Sequence, residues 1–268
     1  MRGASLEVYD LPALESALAG TVFAGNLHFS PATDSTNSDA LQAARSGAPN
    51  GSVYFADEQR AGRGRGDHAW DSAAGEGLYA SVLLRSPIPA ARLPLLPLAA
   101  GLATAEAIRA VAGITIDLRW PNDLMIGSRK VGGILAESKI FGGLADYAVV
   151  GIGINVHQRA FASELTTSAT SLDLEAGRSI SRQPLLVSLL ESLESEALLL
   201  ADPEATVTIP ARVEKASTWI RGRCIEVHGP QACTGVTAGL DENGFLLVRT
   251  DSGVVTMQTG GIRALERS

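Results

Sequence analysis

The chain has 268 residues, 46% of them hydrophobic and 19% charged, and its formal net charge is −7. This length fits one large domain or a medium and a small one, and the composition excludes a disordered protein. The acidic balance argues against general nucleic-acid binding, which needs a basic surface. Two cysteines, Cys224 and Cys233, are too few for a disulfide framework.

The N-terminal part of the chain predicts alternating helices and strands. Ser35 or Thr36 begins a helix through Ala44, with Gly47 as its stop. A strand at 52–56 leads into a loop at 57–77 that is rich in glycine and arginine. Loops of this length in compact domains are usually functional. A strand at 78–84 and a buried helix at 92–112 follow.

The middle of the chain predicts further strands and a second long helix. Gly127-Ser128 marks a hairpin, and 183–200 is an amphipathic helix. The apolar stretch 93–108 contains two prolines and a glutamate and falls short of the roughly 20 residues that a membrane span needs. The N-terminus lacks a secretion signal, so we expect a cytoplasmic protein with no membrane contact. The predicted strands are 115–120, 124–126, 130–138 and 147–156.

Turn signals recur about every ten residues after Asp202, with strand-like runs such as 245–249 and 254–257 between them. Such spacing predicts a small antiparallel barrel. The predicted class is therefore α+β. A first domain, residues 1–209, carries a mixed sheet backed by helices, and a small β-barrel domain follows at 210–268.

A glycine-rich loop carries three arginines within one stretch of six residues, at Arg60, Arg63 and Arg65. The loop is no Walker A motif, because no Gly-Lys pair occurs in the chain. Glycines let backbone N–H groups approach an anion, and guanidinium groups grip carboxylates and phosphates. The pattern favours anion binding; a solvated charged loop is the alternative.

Two further motifs follow the arginine loop. Arg119-Trp120-Pro121-Asn122-Asp123 precedes Lys130-Val131-Gly132-Gly133, and Lys130 is one of only three lysines. Paired glycines in a strand mark a bulge or a close backbone approach to a ligand. The third motif, Gly151 to Asn155, is a buried strand with two glycines that ends at a polar residue. A plain turn and close packing are the respective alternatives.

In this order the motifs resemble the catalytic domain of biotin–protein ligases. The resemblance covers about Thr33 to Ala201, and the remaining chain, including Gly260-Gly261-Ile262, resembles the family's small C-terminal SH3-like β-barrel. The matching segments are Ser35-Thr36-Asn37, Gly62 to Arg65, Arg119 to Asp123, Lys130 to Leu135 and Gly151 to Asn155.

The resemblance implies an enzyme that activates biotin with ATP and Mg²⁺ to biotinyl-5′-AMP. It then transfers biotin to a lysine of a biotin carboxyl carrier protein of a carboxylase. Lys130, Arg65 and Asp123 would be catalytic, with Asp123 orienting Lys130, while the metal ligands stay unassigned. Biotin would contact Ser35, Thr36, Asn37, Gln59, Arg63, Gly64, Arg65, Lys130 and Gly133. ATP would contact Arg63, Arg65, His68, Trp70, Asn122, Lys130 and Asn155.

Two features depart from the family pattern. About 30 residues precede the Ser-Thr-Asn segment, too few for the helix-turn-helix domain of repressor members, so we expect neither specific DNA binding nor a repressor role. The arginine loop continues as Gly66-Asp67-His68-Ala69, with His68 where relatives carry an arginine that contacts phosphate. The resemblance leaves a homodimer open.

Two other functions compete with this interpretation. A lipoate–protein ligase has a related fold but is expected to lack the Gly-Arg-Gly-Arg and Trp-Pro-Asn-Asp motifs together. A non-catalytic binding module would keep the fold and hold a ligand or a partner protein. The shortened arginine pattern after Arg65 is the only feature that favours it.

Overall fold

Seven strands form the larger sheet, and five form a second sheet near the C-terminus. The computed structural model describes residues 9–66, 68–162, 167–202, 204 and 207–265. The strands of the larger sheet are β1 (Leu27–Thr33), β2 (Val53–Gln59), β3 (Gly77–Leu84), β4 (Asp117–Arg119), β5 (Asp123–Ile126), β6 (Arg129–Phe141) and β7 (Leu144–Asn155). Those of the smaller sheet are β8 (Arg221–His228), β9 (Cys233–Leu240), β10 (Leu246–Thr250), β11 (Gly253–Met257) and β12 (Gly261–Ala264).

The helices of the described residues lie mostly around the larger sheet. They are α1 (Leu11–Ala17), α2 (Thr36–Arg45), α3 (Leu96–Ala112), α4 (Leu172–Ala176), α5 (Arg182–Ala201) and α6 (Ile209–Lys215). A 3-10 turn, Ala90–Leu95, leads into α3.

The larger sheet is mixed, with the strand order β1-β2-β3-β7-β6-β5-β4. β1 pairs with β2 in parallel, and the other described pairs of this sheet are antiparallel. The predicted hairpin at Gly127-Ser128 joins β5 to β6. β6 and β7 extend beyond their predicted ends and meet at Gly142-Gly143, both of which have a positive φ.

The helical layer buries the apolar faces that the sequence pattern predicts. Helix α5 buries six leucines, and α3 packs against it. Segment 90–112, which extends beyond the apolar stretch 93–108 at both ends, is long and apolar enough to span a membrane by length and composition alone. Most of that segment is buried among the sheet, α5 and α6, which accounts for its apolar composition.

The second sheet is antiparallel, with the order β11-β10-β9-β8-β12. It packs against the first sheet, and residues from both share one hydrophobic core. Trp120 Nε1 donates to the Gly244 carbonyl oxygen at 3.1 Å. Among the described strand pairs, β11 and β12 do not pair with each other, so barrel closure stays a prediction.

These elements confirm a mixed α+β fold with two sheets, while some predicted boundaries are wrong. β2 continues to Gln59, so the arginine loop begins at Arg60 rather than at Asp57. Ser35 occupies the N-cap position of α2, but its side chain makes no capping hydrogen bond. The division at residues 1–209 and 210–268 stays a prediction; α6 lies across it and contributes Ile209 and Val213 to the shared core.

Candidate active site

The sequence motifs converge at one end of the larger sheet. The N-terminus of α2 lies beside the end of β2, and the arginine loop crosses the β6–β7 pair. The loop is a small hairpin, since Gly64 N donates to the His68 carbonyl oxygen at 2.7 Å and Trp70 N to that of Gly62 at 2.8 Å. The predicted loop is therefore locally ordered by backbone hydrogen bonds. Asp67, one of the four residues at which the loop departs from the family pattern, lies outside the described residues.

A buried, uncharged network fills the side of the site next to α2. Gln59 Oε1 accepts from the Thr36 backbone N at 3.0 Å and from Thr36 Oγ1 at 3.1 Å. Thr36 Oγ1 lies 2.8 Å from Ser81 Oγ, which donates to Asn37 Oδ1 at 3.0 Å. Gln59 Nε2 completes the chain by donating to Ser72 Oγ at 2.8 Å. These bonds hold in place three side chains that are predicted to contact biotin, those of Thr36, Asn37 and Gln59.

Ser35 differs from its neighbours in this network. Its side-chain oxygen is buried, the residue is 2% exposed, and it has no hydrogen-bond partner among the described residues. An unsatisfied buried polar group costs about 1–3 kcal/mol. A ligand that hydrogen-bonds to Ser35 Oγ would recover that cost.

Two glycines form a flat floor beneath the arginine loop. Gly133 of β6 and Gly153 of β7 are direct cross-strand partners. A Cβ at Gly153 would lie 2.6 Å from Trp70 Nε1, and one at Gly133 would lie 3.6 Å from Trp70 Cζ3. The indole therefore lies so close to Gly153 that a side chain there would overlap it, whereas a methyl group at Gly133 would make an ordinary contact. Its Nε1 is buried and has no partner among the described residues.

The opposite side of the site is charged. Asp123 accepts from Arg119 Nη2 at 2.7 Å and Nε at 3.0 Å, and it forms an ion pair with Lys130 Nζ. Burial by itself raises the pKa of Asp123, but the charges and hydrogen bonds of Lys130 and Arg119 outweigh burial and hold that pKa below its usual value. Lys130 Nζ lies 5.4 Å from the Trp70 ring centroid. Asp123 thus holds the Lys130 ammonium over the glycine floor.

Arg65 reaches this charged side from the loop. Its Nη1 donates to the Gly260 carbonyl oxygen at 2.9 Å and to Asn122 Oδ1 at 3.3 Å. Asn122 Nδ2 in turn donates to the Ile134 carbonyl oxygen at 2.7 Å. Burial lowers the pKa of the Arg65 guanidinium, and the charge of Asp123 partly offsets this.

Three residues that sequence reasoning missed support the site. Ser81 links Thr36 to Asn37, and Arg119 is the second cation on Asp123. Glu137 accepts from Asn37 Nδ2 at 2.5 Å and forms an ion pair with Arg63. Glu137 shares one face of β6 with Gly133, because side chains alternate along a strand. This alternation could have predicted from the sequence that Glu137 lies on the same face of the strand as Gly133.

Two predicted ATP contacts, Asn155 and His68, lie outside the cluster formed by Asp123, Lys130 and Arg65. Asn155 ends β7, and its Nδ2 donates to the Thr170 carbonyl oxygen at 3.0 Å. The segment carrying Thr170 runs beside Lys130, whose backbone N donates to the Ser168 carbonyl oxygen at 2.8 Å. Asn155 is therefore linked to the charged side. His68 lies at the loop tip with an exposed side chain, and its contact with ATP stays a prediction.

Comparison with known proteins gives a consistent result. The profile of the Biotin/lipoate A/B protein ligase family matches residues 29–155. The chain is 32% identical over 249 residues to the bifunctional ligase/repressor BirA of Bacillus spizizenii, covering 90% of this chain and 74% of the relative. It is 32% identical over 238 residues to the biotin–[acetyl-CoA-carboxylase] ligase of Mycobacterium tuberculosis, covering 86% of this chain and 85% of the relative.

A solved structure shows the same arrangement. The biotin protein ligase from Aquifex aeolicus in complex with biotin and ATP superposes with a TM-score of 0.77 at 30% identity, covering 90% of this chain and 100% of that one. Motifs, fold and relatives agree, and the chain belongs to the biotin protein ligase family.

Proposed function

We propose that this protein activates biotin with ATP to biotinyl-5′-AMP and transfers the biotin to a lysine of a biotin carboxyl carrier protein. The observation that carries the proposal is that one site combines a cluster of neutral, hydrogen-bonded side chains with a cluster of charged ones. Ser35 Oγ offers an unused hydrogen bond on one side, and Lys130 is held by Asp123 on the other. Gly133 and Gly153 lie next to each other beneath Trp70, and a Cβ at Gly133 would also lie 3.5 Å from Lys130 Nζ.

The reaction needs two anions to meet. A carboxylate oxygen of biotin attacks the α-phosphorus of ATP, the bond to the β-phosphate breaks, and pyrophosphate leaves. Lys130 and Arg65 lie on the charged side and would offset the repulsion and stabilise the charge that develops. The acceptor amine then attacks the acyl carbon, an amide forms with loss of a proton, and AMP leaves.

Water would hydrolyse the mixed anhydride between the two steps. A loop that closes over the site excludes water and holds the intermediate for the acceptor. The arginine loop already lies across the glycine floor through Trp70 and reaches the charged side through Arg65. We assign this covering role to the loop.

We propose individual roles on the basis of the family resemblance. Ser35, Thr36, Asn37 and Gln59 would hold the biotin ring, and Gly133 would lie beneath its tail. Arg63, Gly64, Arg65 and Lys130 would contact the biotin carboxylate and the α-phosphate. The proposed nucleotide contacts are Trp70, Asn122, Asn155 and, at the loop tip, His68.

Mg²⁺ would accompany ATP and supply charge neutralisation on the phosphates. No group of three or more His, Cys, Asp or Glu side chains suited to a metal occurs among the described residues. The carboxylate of Asp123 is engaged by Arg119 and Lys130. Mg²⁺ commonly keeps several waters and binds substrate phosphates with few protein ligands, which fits this site.

The protein's wider setting is also a proposal. The antiparallel second sheet supports an SH3-like barrel domain at 210–268 after a catalytic domain at 1–209. The net charge of −7 favours an enzyme without specific DNA binding, and we expect it to act in the cytoplasm.

Exchange of labelled pyrophosphate into ATP tests the function and separates the alternatives. A biotin ligase exchanges label only when biotin is present, and a lipoate ligase only when lipoate is present. Exchange with biotin alone is the expected result. Exchange with lipoate alone, or with neither acid, would contradict the proposal, and the latter would favour a non-catalytic binding module.

A further inference from the structure

The tip of the arginine loop is bound by the second sheet. Arg65 Nη1 donates to the Gly260 carbonyl oxygen at 2.9 Å, although 195 positions separate the two residues. Gly260 immediately precedes β12. The same nitrogen lies 3.3 Å from Asn122 Oδ1 on the first sheet. One guanidinium therefore joins the two sheets across the charged side of the site.

The backbone at Gly260 is fixed by tight packing. Its φ of +125° is rarely adopted by residues with a side chain, and a Cβ there would overlap the His228 carbonyl oxygen. Gly229, with a φ of +117°, packs against it, because a Cβ at Gly229 would lie 3.3 Å from Gly260 Cα. Two glycines in backbone contact thus set the direction of the Gly260 carbonyl.

We propose that Gly260 is a positioning residue for Arg65, through which the second sheet holds the loop closed over the acyl-adenylate. This proposal rests on the proposed function. It gives Gly260, which lies outside the catalytic-domain motifs of the first sheet, a role in retaining biotinyl-5′-AMP. Gly260 touches neither substrate in this account. It acts only by fixing where the guanidinium lies.

The chemistry favours such a link. A guanidinium has five N–H donors, so a bond from Nη1 to Gly260 leaves others for a phosphate or carboxylate. Hydrogen bonds from charged donors are about twice as strong as neutral ones. Arg63 holds the near side of the loop through its ion pair with Glu137 on β6. The loop is therefore held at two points, and the Gly260 bond is the one that closes its tip.

Neighbouring glycines provide a matched pair of variants. Gly260→Ala forces the backbone to shift, whereas a Cβ at Gly261 meets nothing within 4 Å and Gly261 has no positive φ, so Gly261→Ala is the control. The adenylate is formed in a single turnover from labelled biotin and ATP, without acceptor. Its release from the enzyme is then followed after dilution into unlabelled substrates.

Loss of a charged hydrogen bond changes an equilibrium by roughly ten-fold or more. We expect Gly260→Ala to release the adenylate about ten-fold faster and to slow its formation no more than Arg65→Ala does, and Gly261→Ala to match wild type in both. In an Arg65→Ala background, Gly260→Ala should have no further effect on release. A purely structural role would instead leave the two effects additive.

Equal release from Gly260→Ala and Gly261→Ala, or additive effects with Arg65→Ala, would overturn the inference. Circular dichroism melts check the fold of each variant. If Gly260→Ala does not fold, Gly229→Ala is the second variant, because its Cβ would lie 3.3 Å from Gly260 Cα and displace the Gly260 backbone less severely. It must then also release the adenylate faster than wild type. Adenylate formation by wild type is measured first, so that failure of the ligase function is distinguished from failure of the positioning role.

Discussion

The two sides of the active site are built on opposite principles. The side next to α2 consists of neutral side chains hydrogen-bonded through Thr36, Gln59 and Ser81, with the Glu137–Arg63 ion pair at its edge. Ser35 Oγ has no partner among the described residues. The other side carries cations that are already paired with Asp123 or with backbone and amide oxygens. The first arrangement suits the binding of an uncharged group, and the second suits the binding of anions.

This contrast predicts a division of labour. Preformed neutral hydrogen bonds act equally in the ground state and in the transition state, so they affect substrate affinity. Cations aimed at developing charge act mainly in the transition state, so they affect the rate. Variants on the two sides should therefore change different kinetic parameters.

Lys130→Ala should have the largest effect. Removal of one preorganised donor to developing charge typically costs about 10²–10³-fold in rate, and we expect adenylate formation to fall by about a thousand-fold. Asp123 keeps Arg119 as a partner, so the thermal melting point should change little. Lys139→Ala is the control, since that lysine is exposed on β6 and pairs with Asp146. Near wild-type exchange by Lys130→Ala would remove Lys130 from the mechanism.

Gly153→Ala should have the next largest effect, because the new methyl group overlaps the Trp70 indole. We expect at least a ten-fold loss of adenylation together with a shift in tryptophan fluorescence that is absent in a Trp70→Phe background. Gly133→Ala is the matched comparison across the strand pair, where contacts of 3.4–3.6 Å are ordinary. A fluorescence shift of the same size in Gly133→Ala would show that the floor is not specific to Gly153.

Ser35→Ala tests the uncharged side. Because Ser35 Oγ has no partner among the described residues, its removal should not destabilise the fold, but biotin should bind about five-fold more weakly, as expected for one neutral hydrogen bond. Ser46→Ala at the other end of α2 is the control, with its hydroxyl bonded to the Gln42 carbonyl oxygen. Unchanged biotin affinity in Ser35→Ala, measured by calorimetry, would argue against the predicted contact.

The depressed pKa of Asp123 predicts a pH effect on stability. The folded pKa lies below the ordinary value of 3.8, so ionised Asp123 stabilises the fold above that pH, and this contribution is lost as the pH falls through the folded pKa. Between pH 5 and 3, the unfolding free energy of wild type should therefore fall more steeply than that of Asp123→Asn. Denaturant titrations at each pH provide the measurement. Parallel slopes would mean that Asp123 adds nothing to the acid sensitivity.

The sequence motifs predicted those parts of the site that depend on residues close together in the chain. The strand that ends at Asn155, the glycines at Gly133 and Gly153 and the Lys130 position could all be inferred from pattern and resemblance, and the structure brings them together. Helix α1 and strand β1 were not anticipated, because neither carries a motif or a strong period.

Contacts between distant segments could not be predicted in the same way. Ser81 lies in a strand that is buried along its whole length, so its polar role depends on Thr36 and Asn37, some 45 positions earlier. The bond between Arg65 and Gly260 depends on how the second sheet packs on the first. Such pairings arise from tertiary structure, which no local pattern specifies.

The division of labour is tested most directly by single-turnover adenylation measured against biotin concentration for wild type, Ser35→Ala and Lys130→Ala. The account predicts that Ser35→Ala raises the half-saturating biotin concentration about five-fold while the plateau rate stays within about two-fold of wild type. Lys130→Ala should lower the plateau by about a thousand-fold with a much smaller change in half-saturation. A plateau that falls as far in Ser35→Ala as in Lys130→Ala would contradict the account.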